Sequence, residues 1–236
     1  MNKIRLGFFS FTEITDPGEH HSYNEWHQLD HMPEQMPLDG IVYGQRWVRS
    51  PACVAATARA EPPFDLVHYL TMYLMADPIN ATLDSFFALG RDLARKNRFF
   101  QARTSHFAHP LKVTATKASP RILVSDEAIP YRPHRGIYVI VEGSGYDPQS
   151  NEAERAWFEH TADTAGIWEF ATSTEFEGRR PTSSGYTVTV IWIDGDVFAA
   201  AANLSNQLDA VITSQSSLLF AGPFEVITPW QWNWFE

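Results

Sequence analysis

The sequence predicts an α+β fold in which two βαββαβ units follow one another along the chain and pack sheet against sheet. Three observations lead to this prediction. Alternating and helical hydrophobic patterns give the order strand, helix, strand, strand, helix, strand in each half of the chain. A sheet covered by helices on one face leaves its other face open, and that face needs a cover. Aromatic residues make up 14% of the chain, which suits an interface between two sheets.

The first unit is predicted from the N-terminal half. Its strands alternate apolar and polar residues, and its first helix begins near Ser22, which forms a capping-box pattern with Glu25. A second helix follows Pro78, with apolar residues at helical spacing. The predicted elements are a strand over Arg5–Phe11, a helix over Ser22–Met36, strands over Ile41–Val48 and Leu66–Leu74, a helix from Asp77, and a strand over His106–Thr114. This order is the ferredoxin-like, or split βαβ, pattern.

The same order recurs in the second half of the chain. The predicted elements are a strand over Ile137–Glu142, a helix over Asn151–Asp163, strands over Ile167–Glu175 and Tyr186–Ile193, a helix over Phe198–Ile212, and a strand over Leu218–Thr228. We therefore expect two ferredoxin-like domains, residues 1–118 and a degenerate copy at 119–236 with an aromatic C-terminal tail, closing into an intramolecular α+β barrel. The expected suppliers of the interface between the sheets are Phe8 or Phe9, Tyr69, Tyr73, Tyr138, Trp168, Trp192 and Phe220.

Composition places the chain among compact folded proteins and restricts its partners. Hydrophobic residues at 44% and charged residues at 19% predict a packed core. The formal net charge of -10 argues against a nucleic-acid partner, and no stretch approaches the length of a membrane span. The single cysteine, Cys53, cannot form an internal disulfide, which favours a cytoplasmic location. The expected partner is a small-molecule substrate, and a homo-oligomer is left open.

The segment Tyr23–Glu34 is the most informative stretch for function. It places His27 and His31 four residues apart on a predicted helix, close to the carboxylates of Asp30 and Glu34. Residues at this spacing share one helix face, so both imidazoles can reach one ligand. Because imidazole titrates near physiological pH, acid/base chemistry on a small molecule is the first interpretation.

Four short segments follow one another in the first half of the chain. They are Asn24-Glu25-Trp26-His27, Asp30-His31-Met32-Pro33-Glu34, Asp39-Gly40-Ile41-Val42 and Gln45-Arg46-Trp47. Together they resemble the signature of the dimeric α+β barrel superfamily, in particular its EthD-like branch. The resemblance implies a tandem fusion of two protomers, with lyase, isomerase, dehydratase or cyclase steps or cofactor-free oxygenation, and no metal. The second half lacks a proline after His160, so we expect one active pocket, in the first half.

The candidate site residues come from the first helix and the strands that follow it. His31 is the expected general acid/base, with His68 and Tyr69 assisting as catalytic residues from the third strand. Arg46 would clamp an anionic group, and aromatic side chains would form flat walls around a substrate. The expected substrate-binding residues are Tyr23, Trp26, His27, Tyr43, Arg46 and Trp47. Ordinary core packing is the competing interpretation for the aromatic residues.

The preferred hypothesis from the sequence is a cofactor-independent enzyme. It would perform a lyase, isomerase, dehydratase or cyclase type step on a small aromatic or hydrophobic molecule, in catabolism or secondary metabolism, without metal or cofactor. A non-catalytic binding or accessory protein is the first alternative. A haem- or metal-dependent oxygenase with His27 or His31 as ligand is the second, because His27, His31 and Glu34 share one helix face.

Overall fold

A computed structural model describes residues 3–143, 158, 161–176, 185–211 and 218–236. Its strands are β1 (Ile4–Ile14), β2 (Ile41–Val48), β3 (Arg59–Ala60), β4 (Tyr69–Ala76), β5 (Arg103–Ala118), β6 (Gly136–Glu142), β7 (Thr164–Ala171), β8 (Thr187–Ile193) and β9 (Leu218–Val226). Its helices are α1 (His20–Trp26), α2 (Met32–Gln35), α3 (Pro51–Ala55), α4 (Ile79–Arg95) and α5 (Val197–Val211). A π-helical turn over His27–His31 joins α1 directly to α2.

The strands form one antiparallel sheet that closes into a barrel. The order is β2-β4-β1-β5-β7-β8-β6-β9, β3 adds to β9, and pairing of β2 with β9 closes the ring. The two halves have matching sheets, because β1 lies between β4 and β5 as β6 lies between β8 and β9. They are joined where β5 pairs with β7 and β9 with β2. The predicted α+β fold of two tandem ferredoxin-like units in an intramolecular barrel is confirmed.

Large aromatic side chains fill the interior of the barrel. Phe9, Trp47, Trp168, Trp192 and Phe220 are all fully buried in one hydrophobic cluster. Protein interiors are close-packed, so this region forms a core and offers no room for a substrate. Four of these five were expected at the interface between the sheets, whereas Trp47 was expected to bind a substrate.

Three tyrosines expected inside the barrel lie outside it. Tyr69, Tyr73 and Tyr138 belong to three clusters on the outer faces of the sheet, whereas Leu70 and Met72 occupy the interior. Side chains alternate along a strand, so a shift of one residue moves every side chain of that strand to the opposite face of the sheet. The prediction for these tyrosines was therefore wrong.

Helices cover the outer faces of both halves. Leu83 and Phe86 of α4 pack with Leu6 and Phe8 of β1, and the rings of Phe8 and Phe86 are 4.8 Å apart. On the second half, Leu204 of α5 lies in a separate apolar cluster. Within the described part of the chain, none of the helices combines the length and hydropathy that a membrane crossing requires.

Some predicted boundaries differ from the observed ones. The first helix begins at His20, so Ser22 lies inside it and cannot cap it. β4 begins at Tyr69, so His68 precedes the strand. Most of the helix predicted over residues 151–163 falls outside the described residues, and residues 161–163 within it form a turn before β7. The division of the chain into residues 1–118 and 119–236 stays a prediction.

The C-terminal tail docks on the first half of the protein. Trp232 is buried in a cluster with Tyr23 and Tyr69, and the ring of Phe235 stacks on His20 at 3.9 Å. Trp230 is 72% exposed and has a φ of 67°, which interrupts the extended backbone. The tail therefore docks as predicted, but its tryptophans do not all face the same side.

Candidate functional site

A π-helical turn shapes the segment that carries His27 and His31. The N–H of Met32 bonds to the carbonyl of His27, five residues back. Pro33 has no N–H, and in a regular helix its ring would clash with the carbonyl four residues earlier, so the wider turn relieves that conflict. Such turns occur often at functional sites. Here the turn leaves the rings of His27 and His31 5.1 Å apart.

A cavity of about 650 Å³ lies between this turn, α4 and the outer face of the first sheet. This volume is within the range of small-molecule sites. Its aromatic wall consists of Phe8, Phe86, Phe87 and Phe99. Its main polar lining consists of His27, His31, Gln35, Thr71, Tyr73 and Arg103. Asp84 and Arg91 lie at the exposed mouth.

His31 lines this cavity as a neutral imidazole. Its ring stacks on Trp26, and its buried Nδ1 atom has no hydrogen-bond partner among the residues that the structure describes. Burial, with the nearby charge of Arg103, lowers the pKa of His31 to about 3. Such a side chain carries a free lone pair at neutral pH but is a weak base, because efficient acid/base catalysts have a pKa near the working pH.

The carboxylates of the motif form ion pairs with an arginine and are not hydrogen-bonded to the His31 ring. Asp30 and Glu34 both form ion pairs with Arg98, and the Glu34 pair spans 2.8 Å. Glu34 therefore does not complete the three-ligand metal face with the two histidines. In the described part of the chain, no three His, Cys, Asp or Glu side chains are arranged to hold a bare metal ion.

His27 is more deeply buried than His31. Its Nε2 atom lies 3.5 Å from the Thr71 hydroxyl, and its Nδ1 atom has no hydrogen-bond partner among the described residues. Burial, followed by the charge of Arg46, lowers the pKa of His27 well below its ordinary value. His27 is thus a neutral polar group of the cavity wall.

Two arginines lie close to the cavity: Arg103 lines it and is half-buried, whereas Arg46 is buried and does not line it. Arg46 donates from Nη2 to the Asn24 side-chain oxygen at 2.8 Å, while its Nε and Nη1 atoms have no hydrogen-bond partner in the described part of the protein. Arg103 donates to Ser105 at 3.1 Å and lies over the ring of Phe99 at 5.0 Å. Burial is the main cause that lowers the pKa of both guanidiniums. The site is therefore positively charged.

Other predicted site residues lie away from the cavity. His68 accepts a hydrogen bond from the Ile14 N–H at 3.0 Å, and Tyr69 pairs with His20 Nδ1 at 3.0 Å under the C-terminal tail. Trp47 is inside the barrel, where its Nε1 donates to His134. The catalytic roles of His68 and Tyr69 stay predictions.

The remaining aromatic candidates do not line the cavity. Trp26 backs His31, Tyr23 lies under the guanidinium of Arg46 at 5.2 Å, and Tyr43 contacts Tyr131. Of the predicted site residues, His27 and His31 line the cavity.

Sequence reasoning missed several residues that line the cavity. Gln35, Tyr73 and Arg103 come from different elements, and the phenylalanines of α4 were assigned to ordinary helix packing. Alternation along the third predicted strand puts Thr71 and Tyr73 on one face, and this pattern was the available signal. The pattern does not show that this strand face lies opposite the π-helical turn.

Comparison with known proteins supports the fold. No protein-family model matches the chain, and no curated protein resembles it in sequence. A protein named for chlorite dismutase has a TM-score of 0.52 at 14% identity, covering 97% of this chain and 96% of that one. An anthrone oxidase-like protein has a TM-score of 0.50 at 12% identity, covering 96% and 92%. A dye-decolorizing protein from V. cholerae has a TM-score of 0.51 at 8% identity, covering 97% and 95%.

These comparisons correct the function expected from the sequence. The names of the similar proteins refer to redox reactions, and none refers to a lyase, isomerase, dehydratase or cyclase step. The low pKa of His31 also makes it a poor general base at neutral pH. The cofactor-independent acid/base hypothesis was therefore wrong. What the similarity establishes for this chain is the ferredoxin-like α+β barrel fold.

Proposed function

We propose that this chain is an oxidoreductase that binds haem in the cavity beside His31 and oxidises a small aromatic molecule. One observation carries the proposal: the imidazole of His31 lines an aromatic-walled cavity of about 650 Å³ that also contains Arg103. The redox names of proteins with the same fold support the same class of reaction.

The residues of the cavity fit a haem group. The porphyrin supplies most of the iron's ligands, so the imidazole of His31 alone would be enough protein ligation to hold the group. His31 is neutral at physiological pH, as a metal ligand must be. Phe86, Phe87 and Phe99 offer apolar surfaces to a flat macrocycle, and Arg91 and Arg103 offer charges to its carboxylates. Metal-bound histidines usually donate their second nitrogen to a protein acceptor, and His31 departs from that pattern.

The side chains have distinct tasks in this proposal. Haem, when bound, supplies the redox chemistry that no ordinary side chain provides. Trp26 fixes the plane of the His31 ring by stacking on it at 4.7 Å. The phenylalanines keep water away from the ligand, and Arg103 compensates negative charge in the cavity. Arg103 is half-buried and already hydrogen-bonded to Ser105, so it needs little rearrangement to do so.

The test is haem titration of the purified chain. We expect hemin to bind with a Soret band characteristic of axial imidazole, and His31→Ala to abolish that spectrum. His21→Ala is the matched control, because His21 is exposed on the same helix. The rate of peroxide-dependent oxidation of a phenolic dye would then increase with the fraction of the protein that has bound haem. Equal spectra for the wild type and His31→Ala would disprove the assignment of the ligand.

Finer assignments remain part of the proposal. The EthD-like branch is supported by the residues from Asn24 to Trp47, and an aromatic substrate by the phenylalanine walls. A cytoplasmic location is supported by the single buried cysteine, whose pKa is raised by burial to about 11. A homo-oligomer would use the outer surfaces of the protein, because the two sheets already pack against each other within one chain. Size-exclusion chromatography of the purified chain tests that last point.

A further inference from the structure

Four buried polar side chains line the cavity, and we call them the inner polar cluster: His27, Gln35, Thr71 and Tyr73. His27, Gln35 and Tyr73 are only 4%, 2% and 3% exposed. Each has one atom without a hydrogen-bond partner in the described part of the chain, namely Nδ1, Oε1 and Oη. Buried polar atoms are nearly always hydrogen-bonded, so this cluster is suited to a ligand that supplies the bonds.

A buried positive charge lies behind this cluster. Arg46 is the partner of Thr71 across the β2–β4 pair, is 3% exposed, and acts electrostatically on His27 and Tyr73. It forms no ion pair with a carboxylate among the described residues, and neither does Arg103. A buried charge without a counter-charge is costly. An anionic ligand at the cluster would compensate it.

We propose that the inner polar cluster is a subsite for an anionic oxygen group, a carboxylate or phenolate, carried by an aromatic ligand. This inference rests on the proposed function for the use of the cavity, but it concerns the ligand and not the haem. The oxygen group would accept hydrogen bonds from Tyr73 Oη and from His27.

The protonation states of the cluster suit an anion. Burial raises the pKa of Tyr73, so its hydroxyl keeps its proton and can donate. Thr71 adds a hydroxyl 3.5 Å from His27 Nε2, and His27 Nδ1 has no hydrogen-bond partner among the described residues. Hydrogen bonds from neutral donors to a charged oxygen are stronger than those to a neutral one. The positive field of Arg46 adds to that preference.

The wall next to the cluster selects an aromatic body for the ligand. The ring of Tyr73 lies 5.4 Å from Phe86, which lies 4.8 Å from Phe8 and 5.8 Å from Phe87. Aromatic rings pack favourably in tilted and edge-on arrangements at these separations. A benzene ring would therefore pack on Phe8 and Tyr73, on the sheet side of the cavity, while its oxygen group reaches the cluster. This arrangement leaves Phe86, Phe87 and Phe99 to the haem.

The test is calorimetric binding of simple probes to the haem-free chain. Benzoate and 4-nitrophenol represent the two anion sources, and benzamide is a neutral analogue of benzoate. We expect benzoate to bind at least tenfold more tightly than benzamide, or 4-nitrophenol to bind as the phenolate, seen by its absorption. Tyr73→Phe should weaken binding of the anion by roughly tenfold, the effect of a lost hydrogen bond to a charged group. Tyr131→Phe, at an exposed tyrosine, is the matched control.

Each outcome decides the proposal. Equal affinity for benzoate and benzamide together with failure of 4-nitrophenol to bind as the phenolate, or no binding of any probe, would overturn it. Unchanged anion binding in Tyr73→Phe and in Thr71→Val would also overturn it, and the second variant serves if the first fails to fold. The haem titration is separate: loss of haem binding with anion binding kept would remove the proposed cofactor and leave the subsite. Haem binding without any preference for anions would keep the proposed cofactor and remove the subsite.

Discussion

The imidazole of His31 lies flat against the indole of Trp26, with ring centroids 4.7 Å apart and an angle of 19° between the planes. Trp26 is itself held in place, because its Nε1 donates to the Arg98 carbonyl at 2.7 Å and its ring contacts Phe100. Asp30 and Arg98 form an ion pair beside it. The orientation of His31 therefore depends on packing and not on a hydrogen bond to its own ring.

Replacement of Trp26 should loosen His31 and weaken haem binding. We expect Trp26→Ala to lower hemin affinity by about tenfold, a typical effect of losing a residue that orients a metal ligand. Trp26→Phe keeps a flat surface and should retain most of the affinity. The measurement is a hemin titration followed by absorption. Equal affinities for the two variants would mean that stacking does not orient His31.

The turn between α2 and β2 depends on Gly40. Its φ of +85° is unfavourable for other residues, and an added Cβ would lie 2.0 Å from the Thr82 hydroxyl. We expect Gly40→Ala to reduce the free energy of unfolding by about 1–3 kcal/mol. Gly90→Ala is the control, because a Cβ there meets no atom within 4 Å. That change should be neutral or stabilise α4 by about 0.5–1 kcal/mol, as urea unfolding can measure.

His20 should make the protein sensitive to acid. Burial, with the charge of His68, lowers its pKa from 6.5 to about 4. Because the folded-state pKa is the lower one, the unfolded chain binds the proton first. Its contribution to stability is therefore present above pH 6.5 and is lost as the pH falls towards 4.

Replacement of His20 should flatten that part of the stability curve. We expect His20→Gln to reduce the loss of unfolding free energy between pH 6.5 and 4 by about 2–3 kcal/mol, since one pKa unit corresponds to about 1.4 kcal/mol. The measurement is urea unfolding across this pH range. The exposed neighbour His21 provides the comparison, and a His21→Gln curve as flat as that of His20→Gln would contradict the assignment.

The C-terminal tail should contribute to stability mainly through Trp232. This side chain is 5% exposed and packs near Tyr23 and Tyr69, whereas Trp230 is 72% exposed. We expect Trp232→Ala to destabilise the protein by about 3–5 kcal/mol and Trp230→Ala by less than about 0.5 kcal/mol. Thermal unfolding of both variants checks this, and similar melting temperatures would show that the tail is not anchored at Trp232.

Much of the architecture could be predicted because its signals are local. Alternation along β2 and helical spacing along α4 depend only on neighbouring residues, and both elements lie close to their predicted places. The repeated element order then implied two sheets that cover each other, since an open apolar sheet face is unfavourable in water. The spacing of His27 and His31 also predicted that their side chains would lie close together, and their ring centroids are 5.1 Å apart.

The sequence by itself thus determined the α+β class, the two ferredoxin-like units and the histidine pair. Only the tertiary structure decided that Trp47 lies inside the barrel, that Tyr69 faces the C-terminal tail, and that Arg103 and Tyr73 meet His31 around one cavity. These facts depend on strand register and on contacts between distant parts of the chain. Local periodicity gives two possible faces for each strand but does not say what will cover either one.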